Sequence, residues 1–136
     1  MRSTVAVCLV VLAASACRAA RPAPHPAVAL ATAGAVRHVV VFRFKPGADP
    51  EKIRELTEAF RALQHEISGI VAFEHGVNNS PEGLNQGFTH VFLLTFTSAA
   101  ARDAYLPHPV HKAFGELLGR SGILDGVFVV DYVPAP

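Results

Sequence analysis

The order of its apolar segments restricts the fold of this chain more than any other feature of the sequence. Four segments are rich in β-branched and aromatic residues, end in turn-forming residues and are short enough to be strands. The first of them, HVVVFRFK, alternates so that His38 and Phe42 share one face while Val39 and Val41 share the other. The predicted strands are His38 to Lys45, Ile70 to Val77, Thr89 to Thr97 and Gly122 to Val133.

The clearest helix begins after the first strand. Asp49 is expected to cap it, with Pro50 at the first position and Glu51 in the first turn. Apolar residues then recur at steps of three and four, and Gly69 ends the helix. The residues of this stripe are Ile53, Leu56, Phe60, Leu63 and Ile67.

The second helical region is interrupted. Ser98 caps a short helix through Tyr105-Leu106, Pro107-His108-Pro109 breaks it, and a further helix runs from Val110 to Gly119. The order is therefore strand, helix, strand, strand, helix, strand, with the second helix broken. This order predicts a ferredoxin-like α+β fold, a four-stranded antiparallel sheet with helices on one face.

The opposite face of that sheet is also predicted to be apolar. It would carry Val39, Val41, Val91, Leu93 and alternate residues of the last strand. A monomer would expose these side chains as one patch. Pairing two such sheets face to face buries the patch, at a gain of roughly 25 cal/mol per Å² of apolar surface. The sequence therefore predicts a homodimer.

Composition excludes several classes of function. The 136 residues suffice for one domain, and 51% hydrophobic with 17% charged residues is typical of a globular protein. A formal net charge of +1 gives no basic surface for nucleic acid or for an anionic membrane. Both cysteines, Cys8 and Cys17, precede the predicted strands, which excludes a disulfide, a cysteine nucleophile or a thiolate metal site in the folded region.

The first 35 residues predict export. Met1-Arg2 is followed by an apolar run of ten residues, Val5 to Ala14, and by the small residues Ala14-Ser15-Ala16. This pattern is typical of a signal peptide over residues 1–16, and the run is shorter than the roughly 20 residues of a spanning helix. Residues 17–35 are rich in alanine and proline, which predicts a flexible tether to a domain over residues 36–136.

Two cleavage outcomes remain open for that segment. Ala14-Ser15-Ala16-Cys17 resembles a bacterial lipobox, in which Cys17 would receive lipid and anchor the protein to a membrane. Ordinary cleavage would instead release the protein into the periplasm or the medium, with Cys17 as an N-terminal thiol. A lipid on Cys17 is the only membrane attachment that the sequence predicts.

Five segments, in order along the chain, resemble the stress-responsive dimeric α/β-barrel (Dabb) family. The resemblance covers about Val36 to Val133 and implies a dimeric α/β barrel, in agreement with the argument from the exposed sheet face. The segments are His38-VVVFRFK, Asn79-Ser80-Pro81-Glu82-Gly83, Gly87-Phe88-Thr89-His90, Tyr105-Leu106-Pro107-His108-Pro109-Val110-His111 with Phe114, and Asp131-Tyr132.

The resemblance also implies candidate site residues. One plant member of the family closes a linear polyketide by an aldol-type condensation without a cofactor, and its functional residues correspond to His38, His90, Tyr105 and His111. His111 would then act as a general base next to a carbonyl, with Tyr105 or a histidine donating to the enolate oxygen. The first helix and the loop from Asn78 to Gly87 differ from that member, so its substrate is not transferred.

The same side chains also permit a purely structural interpretation. On the predicted strand faces His38, His90, Phe42 and Phe92 turn toward the helices, where they would line an apolar substrate pocket with Tyr105 and His111. Alternatively, the buried polar side chains satisfy backbone groups and fix the helix break. In the same way Asp131 is expected to end or register the last strand rather than to catalyse.

Two functional hypotheses follow, neither of which needs a cofactor or a metal ion. The first is a stress-associated homodimer that binds a small apolar or aromatic molecule. The second is a cofactor-independent lyase or cyclase that uses His111 and Tyr105. A metal site is not expected, because His108 and His111 alone fall short of the three or four ligands that zinc takes.

Overall fold

The computed structural model describes residues 34–135, so the predicted signal peptide and Cys17 lie outside the described residues. Each predicted strand and helix is present, and no end differs from the expected one by more than two residues. Within the described range no helix combines the length and the hydrophobicity needed to cross a membrane. The elements are β1 (Val36–Phe44), α1 (Pro50–Glu66), β2 (Ile70–Val77), β3 (His90–Phe96), α2 (Ala99–Tyr105), α3 (Pro109–Arg120) and β4 (Leu124–Tyr132).

The four strands form one antiparallel sheet in the order β2-β3-β1-β4. In β1, His38 lies opposite Leu94 of β3 and Asp131 of β4, and Phe42 lies opposite His90 and Val127. This strand order and element sequence define the ferredoxin-like α+β fold. The predicted fold class is therefore confirmed.

The core lies between the sheet and the helices. Phe60 of α1 is its centre, since its ring stacks on Phe114 of α3 at 4.6 Å and on Phe42 of β1 at 5.9 Å between ring centroids. α1 begins where the sequence predicts, because the Asp49 side chain caps it by accepting a hydrogen bond from the Glu51 backbone N–H at 3.0 Å. The stripe of α1 thus packs onto the helix-facing side of β1.

Gly69, directly before β2, allows α2 to approach the backbone closely. Its φ of +95° lies in the left-handed region, and a Cβ on it would approach the Cβ of Ala101 in α2 to 2.7 Å. The Ser98 side chain caps α2 by accepting from the Ala101 backbone N–H at 3.2 Å. This close approach holds α2, whose last residue is the candidate Tyr105, near the sheet.

The other side of the sheet carries an apolar patch, which we call the outer face. Its side chains are partly or largely exposed, and they are paired across β3, β1 and β4 by the strand register. No helix of the described chain covers this side. The outer face consists of Val39, Val41, Val91, Leu93, Phe128 and Val130.

Candidate functional site

A cavity of about 220 Å³ lies between the helices and the β1–β4 half of the sheet. Three polar side chains reach it, namely His38 of β1, Tyr105 of α2 and His111 of α3. The rest of its wall is mostly apolar and includes Val40, Phe42, Phe60, Phe114, Val127 and Val129. Such a concave apolar site with a few convergent polar groups is the usual form of a small-molecule pocket.

The break between α2 and α3 brings Tyr105 and His111 together. α2 ends at Tyr105, and α3 begins with Pro109 at its first position. His108 caps α3, since its Nδ1 accepts a hydrogen bond from the Val110 backbone N–H at 3.3 Å. The turn places the Tyr105 and His111 ring centroids 4.0 Å apart. For His108 the structure therefore shows the role of fixing the helix break.

His111 is oriented to act as a base. Its Nδ1 lies 3.1 Å from the Leu106 carbonyl oxygen, and because a carbonyl only accepts, Nδ1 carries the proton. Nε2 of the neutral ring then keeps its lone pair. Burial lowers the pKa of His111, the bond to Leu106 offsets this in part, and the neighbouring His38 and His108 lower it further. His111 is therefore a neutral imidazole at neutral pH.

Tyr105 carries a hydroxyl that can donate a hydrogen bond. It is fully buried, and its hydroxyl has no hydrogen-bond partner among residues 34–135. Burial raises the pKa of Tyr105, and the negative charge of Asp131 raises it further, so the phenol stays protonated. A buried hydroxyl without a partner is unfavourable by about 1–3 kcal/mol, and such groups are uncommon in native proteins.

Asp131 holds the third polar group in place. One oxygen of its carboxylate lies 2.6 Å from Nδ1 of His38, directly across the β1–β4 pair. Its other oxygen accepts from the guanidinium of Arg102 on α2. The His38 ring lies 5.7 Å from that of Tyr105 between centroids. The carboxylate thus fixes the orientation of the imidazole, as second partners of functional histidines commonly do.

The sequence alone does not assign these two roles. Its pattern predicts that Asp131 ends or registers the last strand, and no motif points to Arg102. The available signals were the position of Asp131 in one of the family-like segments and that of Arg102 three residues before Tyr105, one turn away on α2. Neither signal shows which histidine the carboxylate would meet.

The predicted residues His90 and Phe92 do not line this cavity. His90 packs on Phe44 with ring centroids 4.9 Å apart, and its Nδ1 lies 2.9 Å from the Thr89 hydroxyl. Its opposite residue in β1 lies four positions from His38, about 13 Å along the strand. Phe92 is buried in the core between Phe42 and Phe60. The structure thus places His38, Phe42, Tyr105 and His111 at one cavity and leaves His90 and Phe92 outside it.

The histidines of the helix break are engaged by the backbone rather than by each other. His108 and His111 each use Nδ1 for a bond to a main-chain group. Across residues 34–135, no three His, Cys, Asp or Glu side chains are grouped so that they would hold a metal ion.

Comparison with known proteins identifies the family. The model of the stress responsive A/B barrel domain matches residues 36–134. The stress-response A/B barrel domain-containing protein HS1 of Arabidopsis thaliana is 43% identical over 101 residues, which cover 74% of this chain and 91% of that protein. Olivetolic acid cyclase of Cannabis sativa is 27% identical over 100 residues, which cover 74% of this chain and 97% of the cyclase.

A solved structure supports the same assignment. The crystal structure of a dimeric ferredoxin-like protein from Jannaschia sp. CCS1 aligns with a TM-score of 0.62 and 34% identity, over 73% of this chain and 98% of that one. The family model, the sequence relatives and the solved structure all match the same domain. The chain therefore belongs to the stress responsive A/B barrel (Dabb) family.

Proposed function

We propose that this chain binds a small, uncharged molecule with a carbonyl or similar oxygen in the cavity beside Tyr105. The observation that carries the proposal is the buried hydroxyl of Tyr105, which has no partner among the described residues and belongs to a side chain that lines an apolar cavity. A ligand oxygen would supply the missing acceptor. The apolar walls around it would exclude a charged ligand, because transfer of an ion into such surroundings is strongly unfavourable.

The size of the cavity limits the ligand. An apolar cavity of about 150 Å³ holds benzene. At about 220 Å³, this cavity would hold a molecule somewhat larger than benzene, such as a benzene ring with a short carbonyl substituent. Acetophenone has these properties and is a suitable probe.

Titration with acetophenone tests the proposal. Amide resonances of ¹⁵N-labelled protein near His111 and Gly115 should shift to saturation in the wild type. The Tyr105→Phe variant should bind about three- to tenfold more weakly, which is the value of one neutral hydrogen bond. The exposed Tyr132→Phe variant is the matched control and should bind like the wild type. No saturable shift at the cavity, or equal affinity in the Tyr105→Phe variant, would refute the proposal.

A second candidate function is a cofactor-independent lyase or cyclase, and the neutral His111 beside the protonated Tyr105 favours it. Nε2 of His111 would take a proton from the carbon next to a substrate carbonyl, and the electron pair of that bond would form an enolate. The Tyr105 hydroxyl would donate a hydrogen bond to the enolate oxygen. The enolate carbon would then attack a second carbonyl of the same molecule, and the proton on His111 would pass to the new alkoxide.

Proton exchange separates turnover from binding. If His111 is a base, the protein should speed up exchange of the acetophenone methyl protons with D₂O above the rate in buffer, as followed by NMR. The His111→Gln variant should lose this acceleration, whereas His75→Gln, which changes an exposed histidine away from the cavity, should keep it. Exchange at the buffer rate with wild-type protein would leave binding as the only function.

We also propose that the protein is an exported homodimer. The outer face argues for the dimer, because it is apolar and uncovered in the described chain, and the relative from Jannaschia sp. CCS1 is dimeric. Light scattering should give twice the mass of the domain.

Export is tested by mass spectrometry of the mature protein. A diacylglyceryl group on an N-terminal Cys17 would establish a lipoprotein, and an unmodified N-terminus after residue 16 would establish release.

A further inference from the structure

A row of charged side chains borders the cavity where α2 meets β4. One oxygen of the Asp131 carboxylate accepts from Arg102, and the other lies 2.6 Å from Nδ1 of His38. Arg102 also donates to Asp103 at 2.8 Å, but Asp103 is largely exposed, so water screens its charge. Of these four side chains only His38 lines the cavity. Any effect of Arg102 on the cavity is therefore indirect.

The contact with Asp131 leaves two states open for the His38 ring. A carboxylate only accepts, so Nδ1 of the ring carries a proton in both states. In the neutral ring Nε2 keeps a lone pair, whereas in the imidazolium Nε2 also carries a proton and can only donate. The charges around the ring decide between the two states, because burial disfavours the imidazolium and a neighbouring negative charge favours it.

Arg102 balances the charge that His38 meets. The ring is 5% exposed, and the ionisable side chains that face it are Asp131 from β4, Tyr105 from α2 and His111 from α3. Tyr105 and His111 are uncharged at neutral pH, so Asp131 carries the charge in direct contact with the ring. Arg102 lies against that carboxylate, and the two side chains are only 23% and 26% exposed. The ring therefore faces a neutral ion pair and not an isolated negative charge.

We propose that Arg102 is a positioning residue, which neutralises Asp131 and thereby keeps His38 an uncharged imidazole with Nε2 available to the cavity as a hydrogen-bond acceptor. Because the cavity is the same, this role deepens the proposed function and rests on it. The cavity then offers an acceptor beside the Tyr105 donor and carries no unpaired charge, which apolar surroundings would make strongly unfavourable. If Arg102 merely tied α2 to β4, its charge would not affect the protons of the ring.

The protons of the His38 ring test the proposal. In protein labelled with ¹⁵N-histidine, ring nitrogens with and without a proton have well separated NMR shifts, and the His38 signals are those that His38→Gln removes. At pH 7 the wild type should have Nδ1 protonated and Nε2 mostly unprotonated. In Arg102→Gln the ratio of charged to neutral His38 should rise at least about tenfold, the smallest effect expected of an opposite charge in contact with an ionisable group.

Two further variants distinguish charge from structure. Arg102→Lys keeps the positive charge and should therefore keep the ring neutral. The double variant Arg102→Gln/Asp131→Asn lacks both charges, so the ring should return to the neutral state although the ion pair between α2 and β4 is lost. Arg120→Gln is the matched control, because it removes an arginine from an exposed pair with Glu116 on α3 that does not line the cavity, and it should leave His38 unchanged.

The outcomes separate this role from the proposed function, since the ring is observed without a ligand. Equal protonation of His38 in the wild type and in Arg102→Gln would overturn the role of Arg102, and so would a ring that stays charged in the double variant. A charged ring in the wild type or in Arg102→Lys would overturn it even if Arg102→Gln did not fold. If the ring responds as expected but acetophenone does not bind, the role of Arg102 holds and the proposed function is wrong.

Discussion

Replacing Tyr105 with phenylalanine should stabilise the unliganded protein while it weakens ligand binding. The side chain is fully buried, its ring packs against Phe96, His38 and His111, and its hydroxyl has no partner among residues 34–135. Phenylalanine keeps the ring and its contacts. The substitution therefore removes a group that is solvated when the chain is unfolded and unsatisfied when it is folded.

The size of the effect follows from the desolvation of one hydroxyl. An unsatisfied buried polar group is unfavourable by about 1–3 kcal/mol. We expect Tyr105→Phe to recover about 1–2 kcal/mol of the free energy of unfolding, since the cavity left by one oxygen atom offsets part of the gain. For a domain of this size that corresponds to a rise of about 4–16 °C in the unfolding temperature.

Urea unfolding followed by far-UV circular dichroism measures the change, at one protein concentration because a dimer would make stability concentration-dependent. Tyr132→Phe serves as the control, since Tyr132 is 48% exposed on the edge strand and should change stability by less than about 0.5 kcal/mol. A Tyr105→Phe variant that is less stable than the wild type would refute the reasoning, because the hydroxyl would then have a partner in the unliganded protein.

Three further predictions concern the network, the titration and the outer face. Asp131→Asn should lower the free energy of unfolding by about 1–3 kcal/mol in urea, because two charge-assisted bonds weaken, whereas Asp125→Asn, in an exposed pair, should cost less than about 1 kcal/mol. Burial lowers the pKa of His111, so its contribution to stability is complete above about pH 6.5 and is lost as the pH falls through the lowered pKa. The urea midpoint of His111→Gln should therefore fall less than that of wild type between pH 7 and pH 5. Phe128→Glu on the outer face should halve the mass measured by light scattering, because it places a charge in the proposed dimer interface. Leu117→Glu, which makes the same kind of apolar-to-acidic change at an exposed position of α3, should leave the mass unchanged.

The fold was predictable because its signals are local. The Asp49 cap, Pro50 and the stripe through Phe60 define α1 within one stretch of chain, and alternation in HVVVFRFK shows which residues of β1 face the helices. β2 was predicted with its observed ends, Ile70–Val77. Each of these features depends on neighbours in sequence, and the rules of capping and periodicity therefore suffice.

The composition of the site was less predictable because it depends on strand register. Alternation puts His38 and His90 on the same face, but it does not show how far apart they lie along the sheet. The antiparallel register places His90 opposite Phe42 and Asp131 opposite His38, so the carboxylate and not the second histidine becomes the neighbour of His38. His38 and Asp131 are 93 positions apart in sequence, and no local pattern relates them.

The short connection between α2 and α3 makes the site more sensitive to chain length than to composition. In one uninterrupted helix Tyr105 and His111 would point about 120° apart and lie about 9 Å apart along the axis, so their rings would not meet. The contact exists because three residues, 106–108, separate the two helices. Inserting or deleting one residue there would change the turn that brings His111 against Tyr105. Over evolutionary time, insertions and deletions at this connection should therefore be tolerated far less than substitutions within it, and a change in its length would mark a relative that has lost the paired rings.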